Sequence, residues 1–278
     1  MQCISPVYLP EHHIWAPCTH CRMCKIQRSK EWTLRIMHEL NYHKSSSFIT
    51  LTYSEEHLPI DKSIKKDELQ RFFKRLRKGI GGRKIKYYGC GEYGEQEGRA
   101  HYHAIIFGVG CAEHVIRIRN ERKECLSGPV KEAWPQGFVT MGVVCGATAR
   151  YVTDYIHKSY NGEMENYYQG RVQPFQMQSQ GLGKSYAIDN AEQLMHNLGC
   201  TVKGHEVGLP RYYQKKLFSG EWDKYRYVHK AQENNEEIIK KYKEKGVSEE
   251  DVFAEEWKAR EQRSKTKVAL IDMKKREL

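Results

Sequence analysis

Apolar side chains recur along this chain with two periods, and the switching between them outlines a fold. Phe48-Ile-Thr-Leu-Thr-Tyr53 is rich in β-branched and aromatic residues and predicts a strand. Leu69, Phe72, Phe73 and Leu76 then recur at i, i+3, i+4 and i+7, an amphipathic helix ended by Gly79, Gly81 and Gly82. Lys86-Tyr-Tyr-Gly-Cys-Gly-Glu-Tyr93 and Ala100-His-Tyr-His-Ala-Ile-Ile-Phe107 flank a Gly-rich polar stretch and predict a β-hairpin. Residues 137–144 predict another strand, and Ala147 to about Ser159 a helix. Upstream, Trp32, Leu34, Ile36 and Leu40 punctuate a charged stretch, a helix entered through a cysteine-rich turn. From about Gln232 the chain is charge-dense and helix-favouring, with Ser248-Glu-Glu-Asp251 as a start signal and Val252, Phe253 and Trp257 as its apolar side.

Strands and helices interspersed around a central hairpin predict an α+β domain on a largely antiparallel sheet with flanking helices. The expected organisation is a Cys-rich segment and helix over 1–45, a central domain over 46–225, and a charged helical extension over 226–278. The 278 residues suffice for one sizeable core with decorations.

Charge sharpens this picture. The formal net charge is +11, a balance expected of a protein with a polyanionic partner. Residues 226–278 hold 14 Lys/Arg against 12 Asp/Glu, so +9 of the excess lies in residues 1–225. The N-terminus lacks the basic and apolar regions of a secretory signal, and no apolar run approaches membrane-spanning length. An intracellular protein is expected, with its nine cysteines reduced rather than disulfide-bonded.

The hairpin carries the first candidate chemistry. On a strand His101 and His103 project to one side and Tyr102 to the other. A turn centred between Gln96 and Glu97 puts Glu92 opposite His101 and offers a carboxylate on the histidine face. Two imidazoles and one carboxylate leave open coordination positions, as a catalytic divalent ion needs. Glu95 and Glu97 compete for the third position only if the register slips. Tyr151 and Tyr155 lie four apart and Lys158 three further on, all on one helix face. Two tyrosines at that spacing also suit a half-buried aromatic stripe, but a lysine on the stripe fits a core poorly. Phenol, with a pKa of about 10, needs a nearby cation or metal to act as a nucleophile.

Three further features complete the inventory. Cys18, Cys21 and Cys24, with Cys3, His20, His12 or His13 as a fourth ligand, are candidates for structural zinc; a free or redox-labile cluster is the alternative. Gln180-Gly-Leu-Gly-Lys-Ser185 ends like a phosphate-binding loop, yet Gln178 stands where the first glycine is required, so it reads as an ordinary loop. Trp134, Tyr167, Tyr168, Phe175, Tyr186, Tyr212 and Tyr213 are either core aromatics or stacking platforms for unpaired bases, with Lys203, Arg211, Lys215 and Lys216 nearby for phosphates.

Phe48 to Tyr53, then His101-Tyr-His103, then Tyr151-Val-Thr-Asp-Tyr155-Ile-His-Lys158, in that order, resemble the three motifs of HUH endonucleases of the replication-initiator type. With the Cys-rich start, Gly89-Cys-Gly-Glu-Tyr-Gly94 and Leu209-Pro-Arg-Tyr-Tyr213, they look like the replication initiators of small single-stranded DNA phages, the gokushovirus branch of the microviruses. The resemblance spans roughly residues 18–218. It departs mildly at Tyr102, where a bulky hydrophobe is usual. Conjugative relaxases, which place the tyrosine before the histidines, fit less well.

The resemblance implies a ferredoxin- or RRM-like palm, metal ligation by His101 and His103 with Glu92 as third ligand, and a nucleophile pair Tyr151 and Tyr155 accompanied by Lys158. It implies Mg²⁺ or Mn²⁺, a nick in single-stranded origin DNA with a 5′-phosphotyrosine and a free 3′-OH, rolling-circle replication with rejoining, and host helicase and DNA polymerase as partners in the bacterial cytoplasm. The rival readings are a plasmid initiator or transposase with the same chemistry, a non-catalytic single-strand-binding module, and a zinc hydrolase built on the histidine pair.

Overall fold

The computed structural model describes residues 3–12, 14–94, 98–119, 122–155, 168–202, 205–218 and 220–276. The path runs β1 (Val7–Leu9), β2 (Ile14–Ala16), α1 (Arg22–Leu40), β3 (Ser46–Tyr53), α2 (Lys66–Gly79), β4 (Lys86–Tyr93), β5 (Ala100–Phe107), β6 (Val115–Arg119) and β7 (Arg122–Ser127). It continues through α3 (Pro129–Ala133), β8 (Gly137–Gly142), α4 (Gly146–Asp154), β9 (Phe175–Gln178), α5 (Lys184–Asp189), α6 (Ala191–Asn197), β10 (Gly199–Val202), β11 (His205–Gly208), α7 (Arg211–Leu217), α8 (Glu221–Lys243) and α9 (Glu249–Arg276). Two compact units result: Ser29–Asn190, and Met1–Arg28 with Ala191–Leu278.

The unit Ser29–Asn190 is the expected α+β arrangement. Its seven strands lie in the order β6-β7-β8-β3-β5-β4-β9, and every pairing is antiparallel. β5 is central, between β3 and β4, which explains why the run from Ala104 to Phe107 is apolar on both faces. On one face Ile49, Leu51, Tyr53, Tyr102, Ala104 and Ile106 pack with Leu69, Phe72, Phe73 and Leu76 of α2 and with Trp134. Each fully buried apolar side chain of that helix contributes about 1.5–3 kcal/mol, which offsets the entropy of ordering it. On the other face Tyr88, Cys90, Ile105 and Phe107 pack with Trp32 and Ile36 of α1, Ala149 and Val152 of α4, and Leu182.

Tyr102 faces the first of these cores, as the strand alternation requires, and keeps its polar end satisfied there. Its hydroxyl accepts from Lys65 N at 2.7 Å, donates to Lys65 O at 3.1 Å and meets the Tyr53 hydroxyl at 2.8 Å. At the opposite edge of β3, Gly137 pairs with Tyr53, and a Cβ there would stand 2.2 Å from Thr52 O; only glycine lets β8 come that close.

The stretch Gln180–Ser185 is a loop held against α1. Gly183, in the left-handed region at φ +75°, donates its amide to Glu39 Oε2 at 2.7 Å. Leu182 O accepts from Arg35 Nε at 3.1 Å and Nη2 at 2.9 Å. Glu39 is buried and also takes Lys86 Nζ and His43 Nε2, each at 2.7 Å.

The other unit carries the β1–β2 and β10–β11 hairpins and the long helices α8 and α9. Ser248 starts α9 as its sequence signals, its hydroxyl accepting from Asp251 N at 3.3 Å. Val252 is buried, Trp257 is partly exposed, and the Phe253 side chain lies outside the description. Tyr242 of α8 donates to Glu256 Oε2 of α9 at 2.9 Å, and Arg260 and Arg263 hold Oε1 of the same carboxylate. Among the described residues no helix is long and apolar enough to cross a membrane.

Candidate active site

The β4–β5 register pairs Glu92 with His101 and Cys90 with His103, the register expected from the hairpin spacing. Glu92, His101 and His103 therefore share the sheet face opposite Tyr102. The nearest carboxylate contact is diagonal rather than direct: Glu92 Oε1 lies 2.8 Å from His103 Nε2, with both groups buried. The two imidazoles are nearly parallel, their centroids 6.4 Å apart.

Each ring is oriented by a second contact. His101 Nδ1 lies 2.6 Å from Arg99 O, and because a carbonyl only accepts, Nδ1 carries the proton and Nε2 keeps its lone pair. His103 Nδ1 lies 3.0 Å from Thr50 Oγ1, a hydroxyl able to accept or donate and so compatible with either tautomer. Thr50 is directly opposite His103 in the β3–β5 register. Two imidazoles and a carboxylate on one face suit a divalent cation by donor type. They are not drawn together as tightly as the thiols near the N-terminus. Among the described residues, only Cys3, Cys18, Cys21 and Cys24 form a group of three or more such ligand atoms within 4.8 Å of one another.

α4 brings both tyrosines over this face. Its first turn is closed by the Cys145 N–H donating to Thr148 Oγ1 at 2.9 Å. Its last turn is fastened to α1: Ser29 Oγ lies 3.1 Å from Thr153 Oγ1 and 2.8 Å from Asp154 Oδ1, and Thr33 Oγ1 lies 2.8 Å from Thr153 Oγ1. The Tyr151 hydroxyl reaches 3.3 Å from His103 Nε2, its ring edge-on at a centroid distance of 5.0 Å. Tyr155, at the C-cap, lies nearly parallel to His103 at 5.7 Å and edge-on to Tyr151 at 5.2 Å. Phe48 completes the aromatic wall at 5.9 Å from His103 and 6.0 Å from Tyr151.

The two phenols differ in depth. Tyr151 is 45% exposed and Tyr155 is 8% exposed. Burial, and then the Glu92 carboxylate and Tyr151, push the Tyr155 phenol well above the usual tyrosine range. Lys158 lies outside the described residues, as do Glu95 and Glu97 of the hairpin turn.

Sequence reasoning missed Thr50 and Phe48 as neighbours of the histidines. The signal was present in the polar alternation of Phe48-Ile-Thr-Leu-Thr, but using it required knowing that β3 lies beside β5. Of the candidate base-stacking aromatics, Trp134, Tyr168 and Tyr213 are buried, Phe175 packs on the α2 core, and Tyr186 stacks on His38 at 3.6 Å. These serve packing instead, because rings of that size are most stable where their area leaves water. Tyr212 is half-buried, and Tyr167 and Lys203 lie outside the described residues.

Residues 46–160 match the family model of the Replication-associated protein ORF2 group. The chain is 28% identical over 219 residues to Replication-associated protein ORF4 of Chlamydia phage 1, covering 72% of this chain and 53% of that protein. It is 28% identical over 240 residues to Replication-associated protein ORF2 of Spiroplasma virus 4, covering 81% and 74%. It is 27% identical over 228 residues to Replication-associated protein VP4 of Bdellovibrio phage phiMH2K, covering 75% and 70%. The match thus spans about half the length of the Chlamydia phage relative. No solved structure matches the chain.

Proposed function

We propose that this chain, which over residues 46–160 belongs to the Replication-associated protein ORF2 family, initiates phage DNA replication by nicking single-stranded DNA with a tyrosine. One observation carries the reading: Tyr151 and Tyr155 both pack on the imidazole of His103, on the same sheet face as His101 and Glu92. A phenol oxygen 3.3 Å from a candidate ligand nitrogen is within reach of a phosphate held at that face.

In this scheme the Tyr151 oxygen attacks the scissile phosphorus, the phenol proton leaves, and the P–O bond to the 3′ oxygen breaks. The 3′ oxygen takes up a proton and becomes a primer end, while the 5′ phosphate stays esterified to tyrosine, so rejoining needs no ATP. Mg²⁺ or Mn²⁺, held by His101, His103 and Glu92, supplies polarisation of a non-bridging phosphate oxygen. Arg99 O keeps Nε2 of His101 available for that ligation. Thr50 accepts the Nδ1 proton of His103 when Nε2 is engaged, and the Glu92–His103 hydrogen bond gives way. Tyr151, the exposed phenol, takes the first cut, and the deeper Tyr155 takes the second, releasing a unit circle. Lys158 accompanies the pair on the same helical register, and host helicase and polymerase complete the replication machinery inside the bacterium.

The test uses a viral-strand origin oligonucleotide with Mn²⁺ and denaturing electrophoresis. Tyr151→Phe loses the first covalent adduct, Tyr155→Phe retains it but fails to release circles, and the double variant forms none. An adduct surviving in the double variant overturns the assignment, and binding unaffected by EDTA with no adduct in the parent protein points to the non-catalytic module.

A further inference from the structure

The four thiols at the start of the chain have no part in the nicking chemistry, and their arrangement is specific. Cys3 comes from the N-terminal segment, Cys18 and Cys21 from the turn before α1, and Cys24 from its first turn. All four sulfur atoms lie within 4.8 Å of one another, with Cys3 to Cys21 at 3.8 Å and Cys18 to Cys24 at 3.9 Å. A disulfide needs about 2.05 Å. A tetrahedron of sulfurs around zinc, with Zn–S about 2.3 Å, needs sulfur pairs about 3.8 Å apart.

The backbone is shaped to the same end. The Cys18 amide donates to Cys3 Sγ at 3.2 Å and the Cys21 amide to Cys18 Sγ at 3.4 Å, contacts that favour thiolate over thiol. Between these cysteines Thr19 adopts φ +70°, a left-handed conformation that a β-branched residue avoids unless its surroundings impose it. Cys3 and Cys18 are buried, where charged sulfur is costly unless a cation shares it. The remaining cysteines join no such group among the described residues.

We propose that Cys3, Cys18, Cys21 and Cys24 bind one structural zinc ion as an all-thiolate tetrahedral site. Binding releases the thiol protons and ties the N-terminal segment to the start of α1, a cross-link that closes the β1–β2 hairpin between Cys3 and Cys18 into a small loop. The histidines considered as fourth ligand are not needed, because Cys3 completes the set. This site is independent of the nicking reaction.

The full chain is purified under reducing conditions and assayed for metal content, then loaded with Co²⁺ for absorption spectroscopy. One zinc per chain is expected, and the cobalt form should show the visible bands and thiolate charge transfer of a tetrahedral four-sulfur site. Cys3→Ser should lower that charge transfer by about a quarter, one ligand in four, and weaken metal retention about tenfold or more. Cys111→Ser, outside the cluster, should leave both unchanged. Should Cys3→Ser fail to fold, the parent protein decides: its four clustered thiols should resist alkylation until a chelator removes the metal. A chain free of zinc with all four thiols equally reactive before and after chelation, or one recovered with a Cys3–Cys21 or Cys18–Cys24 disulfide, overturns the proposal.

Discussion

Replacing Tyr102 with phenylalanine removes one oxygen from the residue between the two histidines, on the face away from them. Phenylalanine is the kind of bulky hydrophobe the motif usually carries, so sequence resemblance alone predicts no effect. The structure predicts a cost. The Tyr53 hydroxyl, in a residue only 2% exposed, loses its 2.8 Å partner, and a buried unsatisfied hydroxyl costs about 1–3 kcal/mol. The backbone N–H and C=O of Lys65 also lose their contacts, but that residue is exposed and water replaces them at a few tenths of a kcal/mol. The sum is about 2 kcal/mol, which for a unit of this size lowers Tm by about 4–8 °C. Thermal unfolding followed by near-ultraviolet circular dichroism measures it, alongside adduct yield at 25 °C, which should persist. An unchanged Tm would refute the claim that the phenol pair is a stabilising contact. Lost adduct at an unchanged Tm would refute the separation of the two faces.

Other perturbations probe the remaining contacts. Thr50→Val removes the hydroxyl at His103 Nδ1 and should raise the Mn²⁺ concentration needed for half-maximal nicking about 10–100-fold, with Tm little changed. Gly91→Ala drives a methyl to 2.8 Å from the Phe175 ring and should destabilise the β4–β9 edge by about 1–2 kcal/mol in urea unfolding. Burial holds His38 neutral, with its pKa lowered to about 4 from an ordinary 6.5, so the unfolded chain binds more protons between those values. The contribution of His38 is therefore complete above about pH 6.5 and lost as pH falls towards 4, a ceiling of about 3 kcal/mol; His38→Gln should flatten that part of the pH profile of the urea midpoint. Glu39→Ala strands Lys86 and the Gly183 amide, and should cost about 3–5 kcal/mol in the same assay.

Much of the fold was legible because it is written in local periods. The α2 positions Leu69, Phe72, Phe73 and Leu76 are all buried as their spacing predicts, and the hairpin spacing led to the observed pairing of Glu92 with His101. Helical spacing likewise predicted that Tyr151 and Tyr155 share a face. It did not predict their unequal depth, which depends on how the last turn of α4 seats on the sheet and on the Ser29, Thr33 and Thr153 hydroxyls that hold it. Thr50 beside His103 and Glu39 beneath Gly183 were illegible for a related reason: each contact joins residues 53 and 144 positions apart, and no local pattern carries such a pairing. The cysteine cluster was half legible. Cys18, Cys21 and Cys24 announce themselves, whereas the choice of Cys3 over three nearby histidines depends on the path of the N-terminal segment.

The alternation along β5 has a consequence for how this molecule can vary. Because Tyr102 and Ala104 line the core while His101 and His103 line the opposite face, a single amino acid inserted between Ala100 and His101 would turn the strand inside out if the downstream pairing slid with it. Imidazole would then press against Leu69 and Phe72, and the Tyr102 ring would stand beneath the helix tyrosines. Length changes in descendants of this chain are thus confined to the bends that join strands, while point changes at odd and even positions of β5 can accumulate under separate selective pressures.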